Sequence, residues 1–114
     1  MQITEKHENG VVVLTLKSNL LTEPVITEVR EQITKLASDN MKHVILDMSE
    51  VKYMNSLGIG ALVSALTTLR RAGGDLRLVC LSDKVKNSFT LTQLVRVFNT
   101  FDSLEEALAS YKHS

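Results

Sequence analysis

The chain is poor in cysteine, proline and aromatic residues, with one cysteine, one proline and no tryptophan among 114 residues. Because Cys80 is alone, no disulfide can form within the chain, and its apolar neighbours predict a buried, unreactive thiol. The first ten residues lack the apolar segment of a signal peptide, and no stretch approaches the roughly 20 apolar residues of a membrane helix. These absences predict a cytoplasmic protein with no direct membrane insertion.

An excess of either charge is also absent, since 13 lysines and arginines balance 13 aspartates and glutamates. A nucleic-acid binder needs a basic surface to contact backbone phosphates, so we expect no nucleic-acid partner. Hydrophobic residues make up 44% of the chain and charged residues 23%, the balance of a folded protein rather than a disordered one. The length suits one hydrophobic core, so we predict a single domain over residues 1–114.

The chain opens with two extended runs, at 2–8 and 10–17, which are joined at Asn9-Gly10. Asn-Gly favours a two-residue hairpin because both central residues of a type I′ turn need positive φ. The second run is almost entirely apolar, so we predict that it lies inside a sheet rather than at its edge.

Helical and β-rich patterns alternate along the rest of the chain. Thr22 and Pro24 mark a helix start, with threonine as the cap and proline in the first turn. This helix carries one apolar stripe, formed by Val25, Val29, Ile33 and Leu36. Three later strands are predicted, at 43–48, 75–81 and 95–101. A second helix is predicted at 56–72 and ends at Gly73-Gly74. A third helix begins at Ser82 and Asp83, with Val85, Phe89 and, as a further candidate, Leu91 on its apolar side, and a last helix begins with the capping box Ser103–Glu106.

The order β-β-α-β-α-β-α-β-α defines the predicted fold class. Strands that alternate with helices pair in parallel through right-handed crossovers, whereas the opening hairpin adds an antiparallel pair. We therefore predict an α/β domain with a mixed, mainly parallel sheet of four to five strands and about four helices.

Catalytic and metal-binding patterns are missing from the sequence. His7, His43 and His113 have no partner at the spacing of a metal site, and no GxSxG, HExxH or P-loop motif is present. We therefore predict that the protein is not an enzyme and holds no metal or cofactor.

Residues 51–62 stand apart from this background. Asn55 and Ser56 fall at the N-terminus of the second predicted helix, where unpaired N–H groups and the helix dipole favour negative charge. Gly58 and Gly60 are poor helix formers, which suggests that another surface approaches this turn closely. Three interpretations stay open: a helix cap with glycines that permit close packing, a phosphate-binding loop without the usual lysine, and a serine phosphorylation switch.

The segment VILDMSEVKYMNSLGIGALV, residues 44–63, resembles the strand, loop and helix start of STAS domains. The tail LTQLVRVFNTFDSLEEAL, residues 91–108, resembles the end of the same domains. The resemblance covers nearly the whole chain and points to stand-alone bacterial anti-sigma factor antagonists. Two departures are visible, because Asn55 replaces the usual aspartate and Leu57 replaces a small hydroxyl residue.

The resemblance implies a partner switch that controls transcription, as in a stress response. The unmodified antagonist binds an anti-sigma factor that is a serine kinase and so releases a sigma factor. Phosphorylation of the motif serine by that kinase ends the binding, and a PPM-type phosphatase restores it. By position, Ser56 is the phosphorylated serine. The residues implied to contact the partner are Met54, Asn55, Ser56, Leu57, Gly58, Ile59 and Gly60.

Two other functions remain as alternatives. A STAS subunit of a lipid-transport ABC system would dock the same helix face constitutively on a transport ATPase, which the apolar Leu57 favours. An enzyme would bind or hydrolyse a nucleotide at Gly58–Gly60, and we expect no such binding.

Overall fold

The structure, a computed structural model, describes residues 3–112, so His113 lies outside the described residues. The strands in this range are β1 (Ile3–Glu8), β2 (Val11–Leu16), β3 (Leu20–Leu21), β4 (His43–Asp47), β5 (Tyr53–Met54), β6 (Asp75–Val79) and β7 (Asn99–Phe101). The helices are α1 (Val25–Ser38), α2 (Ser56–Arg71), α3 (Asp83–Leu91) and α4 (Leu104–Lys112), with a 3₁₀ turn at Leu94–Arg96.

The main sheet has five strands in the order β1-β2-β4-β6-β7, while β3 and β5 pair in a separate two-stranded sheet. β1 and β2 are antiparallel, and β2, β4, β6 and β7 follow one another in parallel. The hairpin between β1 and β2 turns at Asn9 and Gly10, whose φ values are 52° and 81°. The predicted mixed sheet, its opening hairpin and the interior position of β2 are therefore confirmed.

Both faces of the main sheet are covered at its central strands, which explains why β2 and the middle of β4 are almost entirely apolar. The larger core lies between the sheet and helices α1, α2 and α3, and it contains the β2 residues Val12 and Leu14. The alternate β2 residues, Val11 and Val13, pack on the other face with Ala107 of α4. Successive side chains of a strand point to opposite faces, so the residues of both sets are buried.

The N-terminus of α1 differs from the prediction. Thr22 does not cap the helix; Pro24 occupies the N-cap position, and its own side chain forms no cap hydrogen bond. The Glu23 carboxylate instead accepts hydrogen bonds from the amide and the hydroxyl of Thr27, at 2.9 and 2.7 Å. The predicted apolar stripe of α1 is buried as expected.

The C-terminus of α2 ends at the predicted glycine pair. Gly73 has a φ of 91°, and its amide donates to Arg70, while the amide of Gly74 donates to Leu69 at 2.8 Å. These two bonds form a Schellman motif, which satisfies carbonyls that the helix leaves free.

The predicted strand at 95–101 is wrong over its first half. Residues 94–96 form a 3₁₀ turn, and the strand begins at Asn99. Phe98 is buried against Phe89 of α3, with ring centroids 5.5 Å apart. The chain must curl to bring this ring into the core, so the alternating pattern of valines does not become a strand.

Two side chains are less buried than predicted. Leu91, at the last turn of α3, is 77% exposed rather than on the apolar side of the helix. Cys80 is partly exposed and has a φ of 60°, because the chain turns sharply at the end of β6. Desolvation and the nearby carboxylates Asp47 and Asp102 raise the pKa of the Cys80 thiol.

Candidate functional site

The loop before α2 is fixed from the core side. β4 ends at Asp47, whose carboxylate accepts a hydrogen bond from the amide of Ser49 at 2.9 Å. Met48 and Val51 are fully buried, and the Val51 amide donates to the Met48 carbonyl at 3.0 Å. Met48 therefore belongs to the core, and the loop holds β5 in a defined position.

β5 is held by a strand that the sequence patterns do not reveal. Leu20 pairs with Tyr53, and Leu21 pairs with Met54, in parallel register. The amides of residues 52 and 53 both donate to the Asn19 carbonyl, at 2.8 and 3.1 Å. Two residues per strand are too few for a periodic signal, so this small sheet is found in the structure and not by prediction.

Asn55 caps α2, in agreement with the helix-cap interpretation of this segment. Its backbone is extended, and its Oδ1 accepts a hydrogen bond from the amide of Gly58 at 3.1 Å. This bond satisfies one of the free amides at the start of the helix. Because the Gly58 amide already has this partner, it is not available to a nucleotide phosphate, which counts against a phosphate-binding loop.

The two glycines of the first turns of α2 differ. A Cβ on Gly58 would lie 2.8 Å from the carbonyl oxygen of Leu21, so β3 of the same chain is the surface that requires a glycine there. A Cβ on Gly60 would meet nothing within 4 Å. The close approach predicted for both residues is therefore intramolecular at Gly58, while Gly60 faces open space.

Ser56 and Leu57 project from the start of α2. Ser56 is exposed, and no group among residues 3–112 forms a hydrogen bond with its hydroxyl. Leu57 is 65% exposed, and the first turn of α2 carries no acidic residue. The structure thus brings an accessible hydroxyl and an accessible apolar side chain together. We call residues 54–60 the docking turn.

The sequence analysis missed the surface that continues from the docking turn. Leu20 and Tyr53, which are paired across β3 and β5, are each 47% exposed, and we call these two residues the β3–β5 ledge. The ammonium of Lys84, in the first turn of α3, lies 4.4 Å from the centroid of the Tyr53 ring. No sequence signal finds this surface, since it joins residues from three separate segments.

The other end of α2 carries a polar network. Asp75 accepts hydrogen bonds from Arg70 at 3.0 Å, from Arg77 at 3.1 Å and from Asn99 at 3.3 Å. Burial alone would raise the pKa of Asp75, but the hydrogen bonds from Arg77 and Arg70 outweigh it and hold that pKa below its ordinary value. The Arg77 guanidinium also lies 4.0 Å from the centroid of the Tyr111 ring.

Tyr111 completes this network from α4. Its hydroxyl lies 2.8 Å from the Val44 carbonyl and 2.7 Å from the Asp75 carbonyl, and burial raises its pKa above the ordinary tyrosine value. A buried hydroxyl with backbone partners fixes α4 on the sheet. We therefore assign this network a role in stabilising the fold.

The described histidines lie apart from the docking turn. His7 pairs with Glu5 at 2.5 Å, and this hydrogen bond lowers the pKa of Glu5. The ring of His43 packs edge-on against Tyr111, with centroids 5.2 Å apart. The described residues contain no group of three histidine, cysteine or acidic side chains placed to hold a metal ion.

Between residues 3 and 112, no helix has both the length and the apolar composition of a membrane span.

Fold and site together define the class of protein. It is a small α/β domain with an opening hairpin, whose central helix presents a serine and an exposed leucine at its N-terminal end. The family model of the STAS domain matches residues 2–107, so the chain belongs to the STAS domain family.

Relatives in this family carry regulatory names. A Thermotoga maritima protein named as a candidate anti-sigma factor antagonist is 31% identical over 65 residues, which are 57% of this chain and 58% of that relative's length. The anti-sigma-B factor antagonist of Staphylococcus aureus is 25% identical over 80 residues, 70% of this chain and 74% of that protein.

Solved structures of the family share the fold. A crystal structure of a candidate anti-sigma factor antagonist from Thermotoga maritima has a TM-score of 0.86 and 24% identity, over 95% of this chain and 92% of that one. The Bacillus cell fate determinant SpoIIAA in its phosphorylated form has a TM-score of 0.75 and 18% identity, over 96% of this chain and 98% of that one. The predicted STAS fold is thus confirmed.

Proposed function

We propose that this protein is an anti-sigma factor antagonist that is switched off by phosphorylation of Ser56. In its unmodified form it binds an anti-sigma factor that is a serine kinase, and so releases a sigma factor. The names of the relatives support the antagonist role. These partners act in the cytoplasm, so we place the protein there.

The exposure of the docking turn is the observation that carries this proposal. Ser56 is the first residue of α2, and its neighbour Leu57 has 65% of its surface open to solvent. A kinase needs a serine whose hydroxyl it can reach, and a docked partner needs apolar surface to bury. The docking turn offers both at adjacent positions.

The charge of a phosphate explains how such a switch would work. The kinase transfers the γ-phosphoryl group of ATP to Ser56 Oγ and releases ADP, which adds about −1.5 to −2 charges at this position. The N-terminus of α2 tolerates the charge, because its free amides and dipole favour an anion. A partner packed on Leu57 does not, since the dianion would have to lose its water in the interface. A PPM-type phosphatase would remove the phosphate and restore binding.

A capture experiment with three immobilised proteins tests this function. Wild type, Ser56→Ala and Ser56→Asp are exposed to host-cell lysate, and the retained proteins are identified by mass spectrometry. We expect wild type and Ser56→Ala to retain a protein with a kinase-type ATPase fold, and Ser56→Asp to lose it. Equal retention of one partner by all three proteins would show that Ser56 does not act as a switch.

A constitutive STAS subunit of a lipid-transport ABC system is the second candidate function. The exposed Leu57 favours it, because an apolar side chain at the docking turn suits a permanent interface. Retention of a transport ATPase by all three proteins, together with membrane components, would support this candidate over the switch.

A further inference from the structure

Lys84 has a defined position beside the docking turn. Its ammonium lies 4.4 Å from the centroid of the Tyr53 ring and 3.3 Å from the Tyr53 hydroxyl. A lysine over an aromatic face is held there by the ring quadrupole. The contact therefore favours a position of the cation over the Tyr53 ring.

A side-chain hydrogen bond also joins the start of α3 to the residue before β5. Ser82 caps α3 by accepting a hydrogen bond from the Val85 amide at 3.2 Å, and its hydroxyl lies 3.3 Å from the Lys52 carbonyl. This contact keeps the first turn of α3 next to the β3–β5 ledge. Lys84 and Tyr53 thus belong to one rigid surface.

The charges around this surface leave its lysines uncompensated. No carboxylate in the described part of the chain forms a salt bridge with Lys52 or Lys84. Of the nearby acids, Glu50 is paired with Lys17 at 3.1 Å, and Asp83 lies in the first turn of α3, where the helix dipole favours it. With Asn55 neutral, the docking turn adds no negative charge.

Resting on the proposed function, we propose that Lys84 is a specificity-determining residue of the docking surface and pairs with a carboxylate side chain of the docked protein. The ledge residues Leu20 and Tyr53 supply exposed apolar surface next to Met54 of the docking turn, and Lys84 supplies a cation at its rim. A partner complementary to this pattern buries apolar side chains on the ledge and presents aspartate or glutamate opposite Lys84. Charge complementarity at a rim acts on specificity and on the association rate.

Photo-crosslinking from position 57 tests the proposal. Leu57 is replaced by p-benzoylphenylalanine in wild type, Lys84→Glu, Lys84→Gln, Lys84→Arg and Lys86→Glu backgrounds, and each protein is irradiated in host-cell lysate. Lys86 is the matched control, because it lies two residues further along α3 and pairs with Asp102 at 3.5 Å. Thermal midpoints of all variants verify that each one folds.

We expect charge reversal at Lys84 to lower the yield of the main cross-link about tenfold at low salt. Lys84→Gln should lower it less, Lys84→Arg should retain it, and Lys86→Glu should stay within about twofold of wild type. The cross-linked peptide should lie beside aspartate or glutamate residues. Capture of a protein is not sufficient support, because the dependence on the charge of residue 84 is the claim.

Three results would overturn the proposal: a yield that Lys84→Glu leaves unchanged, an equal loss with Lys86→Glu, or no cross-link at all. The Ser56→Asp variant of the same cross-linking protein separates this proposal from the proposed function. If it abolishes the cross-link while Lys84→Glu does not, the switch stands and the role of Lys84 is wrong. If the reverse holds, the role of Lys84 stands and the switch is wrong.

Discussion

The two ends of helix α2 differ in how many partners their side chains have within the chain. At the C-terminal end, Arg70 and Arg77 both donate hydrogen bonds to Asp75, and the Schellman motif closes the helix. At the N-terminal end, the cap bond of Asn55 is accompanied by an exposed hydroxyl and a leucine that is 65% exposed. One helix therefore holds the fold together at one end and offers surface at the other.

This difference indicates where binding and stability can be changed separately. Groups with many internal partners lose those partners when mutated, so the C-terminal end should control the free energy of unfolding. Groups without internal partners can change at no cost to the fold, so the N-terminal end should control binding. The predictions below compare the two ends.

The largest expected effect is at Gly74, beyond the C-terminal end. A Cβ there would lie 2.0 Å from the carbonyl oxygen of Lys42, so the backbone itself must move. We expect Gly74→Ala to lower the free energy of unfolding by about 3 kcal/mol or more. Urea unfolding measures this free energy. A smaller loss than that of Gly58→Ala would contradict the claim that the C-terminal end of α2 controls stability.

Asp75 should have the second largest effect. Its side chain is 13% exposed, and Asp75→Asn removes the carboxylate that accepts hydrogen bonds from Arg70 and Arg77. We expect a loss of about 2 kcal/mol at pH 7, measured by urea unfolding. Asp102→Asn is the matched control, because Asp102 pairs with Lys86 at a side chain that is 85% exposed, and its loss should be near zero.

The effect of Asp75 should depend on pH with a definite sign. Its pKa is lower in the folded protein than in the unfolded chain, where aspartate titrates near about 3.9. The stability from its charge is therefore complete above that value and is lost as the pH falls through the folded pKa. Unfolding curves of wild type and Asp75→Asn should converge below about pH 4, and a constant gap would contradict the charged network.

Gly58→Ala tests whether the N-terminal end of α2 contributes to the free energy of unfolding. The new methyl group would lie 2.8 Å from the Leu21 carbonyl oxygen, although alanine is the better helix former. We expect a net loss of about 1 kcal/mol in unfolding free energy, since the clash outweighs the gain in helix propensity. A rise in the thermal midpoint would show that β3 moves aside easily.

Gly60→Ala should have the smallest effect on stability, and of the opposite sign. Nothing lies within 4 Å of the added methyl group, so helix propensity should stabilise the protein by about 0.5 to 1 kcal/mol. Binding of the captured partner should fall at the same time, because the predicted close approach at this turn would now meet the methyl group. Unchanged binding would show that the partner does not approach Gly60.

Most of the fold follows from the sequence because its signals are local. Asn9-Gly10 forms the hairpin turn, and Gly73-Gly74 ends α2. The Ser103 hydroxyl accepts a hydrogen bond from the Glu106 amide at 3.2 Å, as the capping box predicts. The failures have a tertiary cause. Phe98 is drawn into the core beside Phe89, so the valines before it form a 3₁₀ turn where their alternation predicts a strand.

The candidate site divides in the same way. The position of Asn55 and Ser56 at a helix N-terminus was predictable, because that signal depends only on neighbouring residues. The β3–β5 ledge and Lys84 were not, since Leu20, Tyr53 and Lys84 meet through pairing of distant segments. Sequence also could not tell that Gly58 packs inside the chain while Gly60 faces open space.

The most direct test of the account measures binding and stability on one modified protein. Phosphoserine is installed at position 56, and the dissociation constant for the captured ATPase and the thermal midpoint are compared with those of wild type. We predict binding at least about 100-fold weaker and a midpoint that is unchanged or slightly raised, since a helix N-terminus favours an anion. Equal affinity, or a loss of binding that follows a lowered midpoint, would contradict the claim that this end of α2 is a switch.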